Sequence, residues 1–242
     1  MDIVIAAAGK GTRLQSYTNN FPKHILPIAG KPFLYYLLDA INEAGFRRCI
    51  IVGGYCFEKM SATIKNYLPA ESRTEIILIN QFDYVPNTAY GTACPLLAAA
   101  HIIQGDRFVY TMGDHLLSTA DLQTMQMSTA DWLLAAVEHT HPERFGVVAV
   151  DAHHHLTQII EKPAHPTSQL VNVGLYTFTP TIIPQLKNLK TSSRQEYEIT
   201  DALNIAASHQ PIRVVPLTGP WLDLGRPEDI ASLEQFVNNS KI

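Results

Sequence analysis

Cysteine is scarce in this 242-residue chain: Cys49, Cys56 and Cys94 are an odd number and lack CxxC spacing. That argues against a disulfide framework and a cysteine zinc site, and reduced thiols suit a cytoplasmic protein. Long apolar runs are missing too, since none approaches the roughly 20 residues that span a bilayer. Met1-Asp2-Ile3 lacks the basic start of a secretory signal. A surplus of positive charge is also absent. Lys and Arg total 18 against 22 Asp and Glu, a net charge of -4, so there is no electrostatic footprint for nucleic acid. Neither a membrane nor a nucleic acid is an expected partner. Without repeats, low-complexity tracts or linkers, residues 1–242 read as a single domain with a substantial core.

What the chain does have, at its very start, is a loop suited to phosphate. Ile3-Val4-Ile5-Ala6-Ala7 reads as a strand that runs into Ala8-Gly9-Lys10-Gly11-Thr12-Arg13-Leu14. Glycine lets backbone N–H groups approach a phosphate closely, and Arg13 and the later Lys23 supply fixed cations. Two common phosphate loops do not fit. A P-loop needs G-x-x-x-x-G-K-[ST], which is not this spacing. A dinucleotide fingerprint needs a third glycine where Leu14 stands, and a helix directly after it. Residues 15–30 instead carry Asn19-Asn20 and two prolines, and read as a long loop. A strand-ending turn with no ligand is the plain alternative.

Strand and helix signals alternate through the first half. Pro32 opens a helix with Leu34, Leu37, Leu38 and Ile41 on one face, and Gly45 stops it. A strand at 49–52, a helix from Phe57 to Leu68 ended by Pro69, a strand at 75–80, a helix at 92–103 and a strand at 108–112 follow. This alternation predicts βαβ crossovers and a mainly parallel sheet. The second half predicts strands at 132–137, 145–150, 156–160 and 171–178, a helix at 198–208 and a closing helix at 227–238. The fold class is therefore α/β with a small β-rich insertion.

Ligands gather beyond the carboxyl ends of strands in such sheets. Four groups stand where strands end: the Gly9–Arg13 loop, Gly113-Asp114, Glu161-Lys162-Pro163 and Asp223-Leu224-Gly225. Paired carboxylates suit a hard cation such as Mg²⁺, while fixed Lys and Arg neutralise charge on a phosphoryl group under attack. Together they suit nucleotidyl transfer between phosphates, in which the acceptor phosphate is itself the nucleophile. Each residue also has a simpler reading. Asp114 could cap a following helix, Asp223 could shape a turn before Gly225, and Lys162 could be a solvated hairpin lysine. Glu161 and Asn172 could be structural. The His153–His155 cluster falls on an expected hairpin tip and reads as a solvated turn.

In order along the chain, Gly9-x-Gly11-Thr12-Arg13-Leu14, Pro22-Lys23, Leu26 to Pro32, Gly113-Asp114, Arg144 to Val148, Ile160 to Pro163, Asn172 to Tyr176 and Trp221 to Gly225 resemble sugar-1-phosphate nucleotidyltransferases. The resemblance spans nearly the whole chain. It implies a Rossmann-like three-layer sandwich whose mixed, mostly parallel sheet is flanked by helices, a GT-A-like arrangement. The implied reaction joins NTP and a sugar 1-phosphate into NDP-sugar and diphosphate. Arg13 and Lys23 then bind the triphosphate and stabilise the transition state, beside nucleotide contacts from Ala8, Gly9, Gly11 and Thr12. Asp114 and Asp223 hold Mg²⁺. Lys162 binds the sugar phosphate, Glu161 and Asn172 bond sugar hydroxyls, and Gly146 lies close to the ring. Residues 1–115 would mainly bind NTP and 130–225 the sugar phosphate.

Resemblance is weakest where the base is read. In uridylyl- and thymidylyltransferases of this type a glutamine before a glycine-rich turn reads the pyrimidine edge. Gln81 and Gly91-Thr92 match in kind, although ten residues separate them. Asn80 to Tyr84 and Asn87 to Tyr90 also resemble cytidylyltransferases acting on small phosphorylated alcohols. UTP or dTTP is the first expectation and CTP the alternative. The closing helix at 227–238 is expected in place of the left-handed β-helix that some relatives append. A nucleotide-sugar binding protein without chemistry and a nicotinamide oxidoreductase are the other functional classes, and a homo-oligomer is left open.

Overall fold

The computed structural model describes residues 1–67 and 73–239. From the N-terminus the elements are β1 (Asp2–Ala7), β2 (Pro27–Ile28), β3 (Lys31–Pro32), α1 (Phe33–Ala44), β4 (Arg48–Gly53), α2 (Phe57–Lys65), β5 (Glu75–Asn80), α3 (Cys94–Ala99), β6 (Phe108–Met112), β7 (His115–Leu116) and α4 (Thr119–Met127). The second half adds β8 (Leu133–Glu138), β9 (Gly146–Val150), β10 (Leu156–Glu161), β11 (Leu170–Phe178), α5 (Ile182–Lys187), α6 (Ile199–Ala207), β12 (Arg213–Pro216), β13 (Leu222–Asp223) and α7 (Pro227–Asn239).

Alternation along β1 decides the layering. Ile3, Ile5 and Ala7 enter one core, Val4 and Ala6 the other, and β4 divides Cys49 and Ile51 from Ile50 and Val52 in the same way. A strand buried on both faces needs a helical layer on each. α1, α2 and α4 cover the first face with Leu34, Ile41, Met60, Ile64, Leu122 and Met125. α3, α5 and α6 cover the second with Leu96, Ile182, Leu186, Leu203 and Ala206. Nine strands form one mixed sheet in the order β10-β9-β11-β6-β1-β4-β5, with β8 paired to β11 and β12 to β8. β5, β4, β1 and β6 run parallel, and β11 is antiparallel to both β6 and β8. The α/β three-layer sandwich and its β-rich second half are as expected.

Two local devices shape the β10-β9-β11 end of the sheet. In β11 the register with β8 shifts between Asn172 and Tyr176, where Gly174 takes φ 69°. The β9–β10 hairpin turns at Asp151, whose Oδ1 accepts from His153 N and His155 N at 2.8 Å each. His153 and His154 are exposed at that tip, a solvated turn as anticipated.

Some expectations needed adjustment. Residues 15–30 are less irregular than their composition suggests, with 3-10 turns at Thr12–Thr18 and Lys23–Ile25 and a β2–β3 ribbon. α3 begins at Cys94 because the residues before it pair elsewhere: Ala93 N donates to Tyr197 O and Tyr197 N to Tyr90 O. The helix expected to reach Leu68 ends at Lys65, and its Pro69 stop lies outside the described residues. Asp114 caps no helix. Ser118 caps α4 by accepting from Asp121 N, while Asp121 accepts from Ser118 Oγ (2.6 Å), Thr218 N (2.8 Å) and Gly219 N (3.0 Å).

Burial alone would raise the Asp121 carboxyl, but these hydrogen bonds outweigh it and hold it below its ordinary 3.8. Such a carboxylate stabilises the fold above its unfolded value and loses that contribution as pH falls through the folded one. Asp121→Asn is expected to cost about 2 kcal/mol at neutral pH in urea denaturation, the scale of hydrogen bonds to a charged acceptor. The gap from the parent protein should close as pH falls below 3.8. Gly91 sits at φ 130°, and a Cβ there would lie 2.3 Å from Tyr197 O and 2.4 Å from Tyr197 N. Gly91→Ala is expected to destabilise by about 2 kcal/mol or more, read as a lowered Tm.

Candidate active site

β1 lies between β4 and β6, whose connections leave in opposite directions, so the sheet has its switch point at the C-terminal end of β1. The Ala8–Arg13 loop starts there. Gly11 turns it with φ 65°, and a Cβ at Gly11 would lie 3.0–3.2 Å from the Lys23 stem. The glycine thus admits Lys23 against the loop. Lys23 Nζ closes an ion pair with Asp114 Oδ2 at the end of β6. Leu224 N donates to Asp114 O at 2.8 Å, and β13 pairs with β7 so that Asp223 lies opposite His115. Three distant stretches of chain therefore meet at one point.

Two cavities meet at that point. One, about 380 Å³, is lined by Ala8 to Arg13, Lys23, His24, Gln81, Tyr90, Gly91 and Thr92. The other, about 340 Å³, is lined by Arg144 to Gly146, Glu161, Lys162, Asn172, Tyr176, Arg194, Glu196, Glu198 and Asp223. Arg13, Thr92, Met112, Asp114 and Glu196 line both and form their shared wall. Every expected site residue lies in this double crevice.

The electrostatics divide the acidic groups. Burial alone would raise Asp114, but the Lys23 charge, helped by His115 and His24, holds its carboxyl well below the usual carboxylate range. Asp223 moves the other way, pushed up by burial and by the charge of Asp114. Burial and then Lys23 lower His24 to about 3, so it is neutral and leaves the positive charge to Lys23. In the second cavity, burial and the Arg194 and Arg13 guanidinium groups lower the Lys162 ammonium. Mutually repelling cations around an open cavity make a place for an anion. Burial raises Glu161, whose Oε1 lies 3.6 Å from Arg194. For a divalent cation, Asp114, His115 and Asp223 each offer a donor atom, all within 4.8 Å of one another. Two carboxylates within reach of one ion, on the wall of an open cavity, fit a hard cation such as Mg²⁺.

Several expected contacts already have protein partners. Asn172 accepts from Gly174 N (3.0 Å) and donates to Tyr176 Oη (2.7 Å), so its amide first shapes the bend in β11. Thr92 Oγ1 accepts from Ile199 N at 2.9 Å. Gly146 is a close approach, because a Cβ there would come 2.8 Å from Glu161 Oε2. Gln81 is buried beside the first cavity with no side-chain partner among the described residues. Sequence reasoning missed Arg194, Glu196 and Glu198. Arg194 pairs with Glu198 and lies 3.8 Å from Glu196. Their alternating charges just ahead of α6 were the available signal, hidden in a stretch without periodicity.

The family model described as Nucleotidyl transferase matches residues 3–240. UTP–glucose-1-phosphate uridylyltransferase AglF of Haloferax volcanii is 32% identical over 241 residues, 97% of this chain and 96% of the relative. Bifunctional protein GlmU of Methanocaldococcus jannaschii is 32% identical over 98% of this chain. The chain spans about half the length of GlmU and similar bifunctional relatives, 53–55%. Among solved structures, UDP-glucose pyrophosphorylase complexed with UDP-glucose superposes with a TM-score of 0.85 at 22% identity, covering 98% of both chains. A putative glucose-1-phosphate thymidylyltransferase from Bacillus anthracis reaches 0.83 at 22% identity, covering 99% of this chain and 96% of its own. At that identity the superpositions speak for the fold alone. On its match from residue 3 to residue 240, this chain belongs to the nucleotidyl transferase family.

Proposed function

We propose that this chain transfers a nucleotidyl group from NTP to a sugar 1-phosphate, releasing diphosphate. The observation that carries the reading is the shared wall of the two cavities. Arg13 and Asp114 stand on it, the Gly9–Arg13 loop and Lys23 lie on one side, and Lys162 lies on the other. A phosphate held by Lys162 is thereby set against an α-phosphate held by Arg13. An oxygen of the acceptor phosphate bonds to the α-phosphorus, the bond to the bridging oxygen breaks, and diphosphate leaves. The acceptor is already ionised, so no side-chain nucleophile or base is needed. Arg13 and Lys23 neutralise the charge that builds on the transferred group.

In this reading residues 1–115 mainly hold the NTP and 130–225 the acceptor. Ala8, Gly9, Gly11 and Thr12 offer backbone to the triphosphate, and Gln81, with Gly91 and Thr92, faces the base. Gly146, Glu161 and Asn172 line the sugar. Asp114 and Asp223 hold Mg²⁺, which when bound neutralises the triphosphate and fixes its oxygens. UTP is favoured as donor by AglF, the relative matched over nearly its whole length, with dTTP next. CTP is the alternative that the long spacing from Gln81 to Gly91 keeps open. NTP use and three free cysteines suit a cytoplasmic setting.

Incubating each NTP with a panel of sugar and polyol phosphates and measuring diphosphate release tests the reading. Release with a sugar 1-phosphate is expected, and NTP binding without release on any acceptor would point to a binding protein instead. Arg13→Ala, shown to be folded, is expected to lower kcat by about a hundredfold or more, the usual effect of deleting one transition-state donor. Lys162→Gln is expected to raise KM for the sugar phosphate by about tenfold or more while KM for NTP changes little, as loss of a charge-assisted contact to one substrate requires.

A further inference from the structure

We infer that His115 is a third ligand to the divalent cation and shifts the site's preference from Mg²⁺ toward transition ions that accept nitrogen, such as Co²⁺. The inference rests on the two-aspartate metal site of the preceding section. His115 Nε2 lies 3.8 Å from Asp114 Oδ1 and 3.9 Å from Asp223 Oδ1. Those separations are too long for hydrogen bonds, so Nε2 faces both carboxylates at ion-pair range without a hydrogen bond to either. They fall between the two spacings found for ligands of one octahedral ion, and all three donor atoms lie within 4.8 Å of one another. Donors at about 2.1 Å from an octahedral cation are roughly 3.0 Å apart when adjacent and roughly 4.2 Å when opposite.

The two carboxylate oxygens of Asp114 are already divided between tasks. Oδ2 is taken by Lys23, while Oδ1 faces His115. The histidine is also held in place from outside the metal site. Gly174 leaves the space its ring occupies, since a Cβ there would come 2.9 Å from His115 Cε1 and 3.3 Å from Nδ1. Trp221 meets the ring edge-on at 5.6 Å between centroids. The residue is 9% exposed, and its Nδ1 has no hydrogen-bond partner among the described residues. A buried imidazole packed against Trp221, with Nε2 turned to two carboxylates at ion-pair range, has a nitrogen available for a ligand. Carboxylates alone favour Mg²⁺, whereas imidazole favours later first-row ions.

Pulsed EPR on the full chain loaded with Mn²⁺ in the presence of UTP tests the ligand directly, and calorimetry with Co²⁺ and Mg²⁺ tests the preference. The parent protein is expected to show imidazole-nitrogen coupling that disappears in both His115→Asn and His115→Gln, each checked for a parent-like circular dichroism spectrum. Co²⁺ affinity should fall about tenfold or more in these variants, with Mg²⁺ affinity changed less than about threefold. Absence of nitrogen coupling in the parent overturns the inference. So does coupling that survives in both variants, which would put the nitrogen elsewhere, His24 included, and so does an equal loss of Co²⁺ and Mg²⁺ affinity. Asp223→Asn separates the two levels. Mn²⁺ binding that is indifferent to Asp223 sinks the two-aspartate site itself, whereas Asp223-dependent binding without nitrogen coupling sinks only the role of His115.

Discussion

The ion pair between Lys23 and Asp114 is the contact on which the crevice depends. It joins the segment after the phosphate loop to the end of β6, 91 residues later. Both groups are largely withdrawn from water, with side-chain exposures of 11% and 17%. Removing either partner would strand the other charge in a poorly solvated place, a costly state. The same aspartate receives Leu224 N through its main chain, which brings Asp223 into range. Loop, strand end and C-terminal ribbon are thus held by one residue acting through both side chain and backbone.

The opposite shifts of Asp114 and Asp223 come from the same arrangement. Asp114 has a cation at hand and stays ionised, while Asp223 faces Asp114 and is raised. Across the shared wall the imbalance reverses, where Lys162 is lowered by the guanidinium groups of Arg194 and Arg13. One end of the crevice holds negative charge in search of a cation, the other positive charge in search of an anion. Under the function proposed above, a metal-bound triphosphate meeting a sugar phosphate would answer both demands.

Much of this was legible in the sequence because it sits where local rules are strong. β5 and β6 have the expected ends, and Gly45 closes α1 with φ 84° as a stop signal should. The Gly9–Arg13 loop, Asp114, Lys162 and Asp223 converge because each ends or follows a strand, while Lys23 opens a 3-10 turn and reaches them through its ion pair with Asp114. What escaped depends on long-range pairing. α3 is shortened by Tyr197, a partner roughly a hundred residues away that no window on the sequence reveals. α4 buries only Asp121, Leu122 and Met125 and shows almost no periodicity, so its one clear mark was the Ser118-x-x-Asp121 cap. Arg194, Glu196 and Glu198 stand in irregular chain, where charge carries no hint of which cavity it faces.

The turn at Asp151 has a reach beyond its own loop. By accepting from His153 N and His155 N it shapes the turn from which β9 and β10 run, and beyond the register shift between Leu156 and Gln158 Gly146 lies opposite Glu161. Side chains alternate along a strand, so sliding β10 by one residue would turn Glu161 away from the cavity and bring an apolar neighbour in. Asp151 stands about 20 Å from Glu161 along the strand, on exposed surface far from any substrate. It acts as an alignment pin, and the wall that Gly146 and Glu161 give the cavity is partly decided at a tip remote from it.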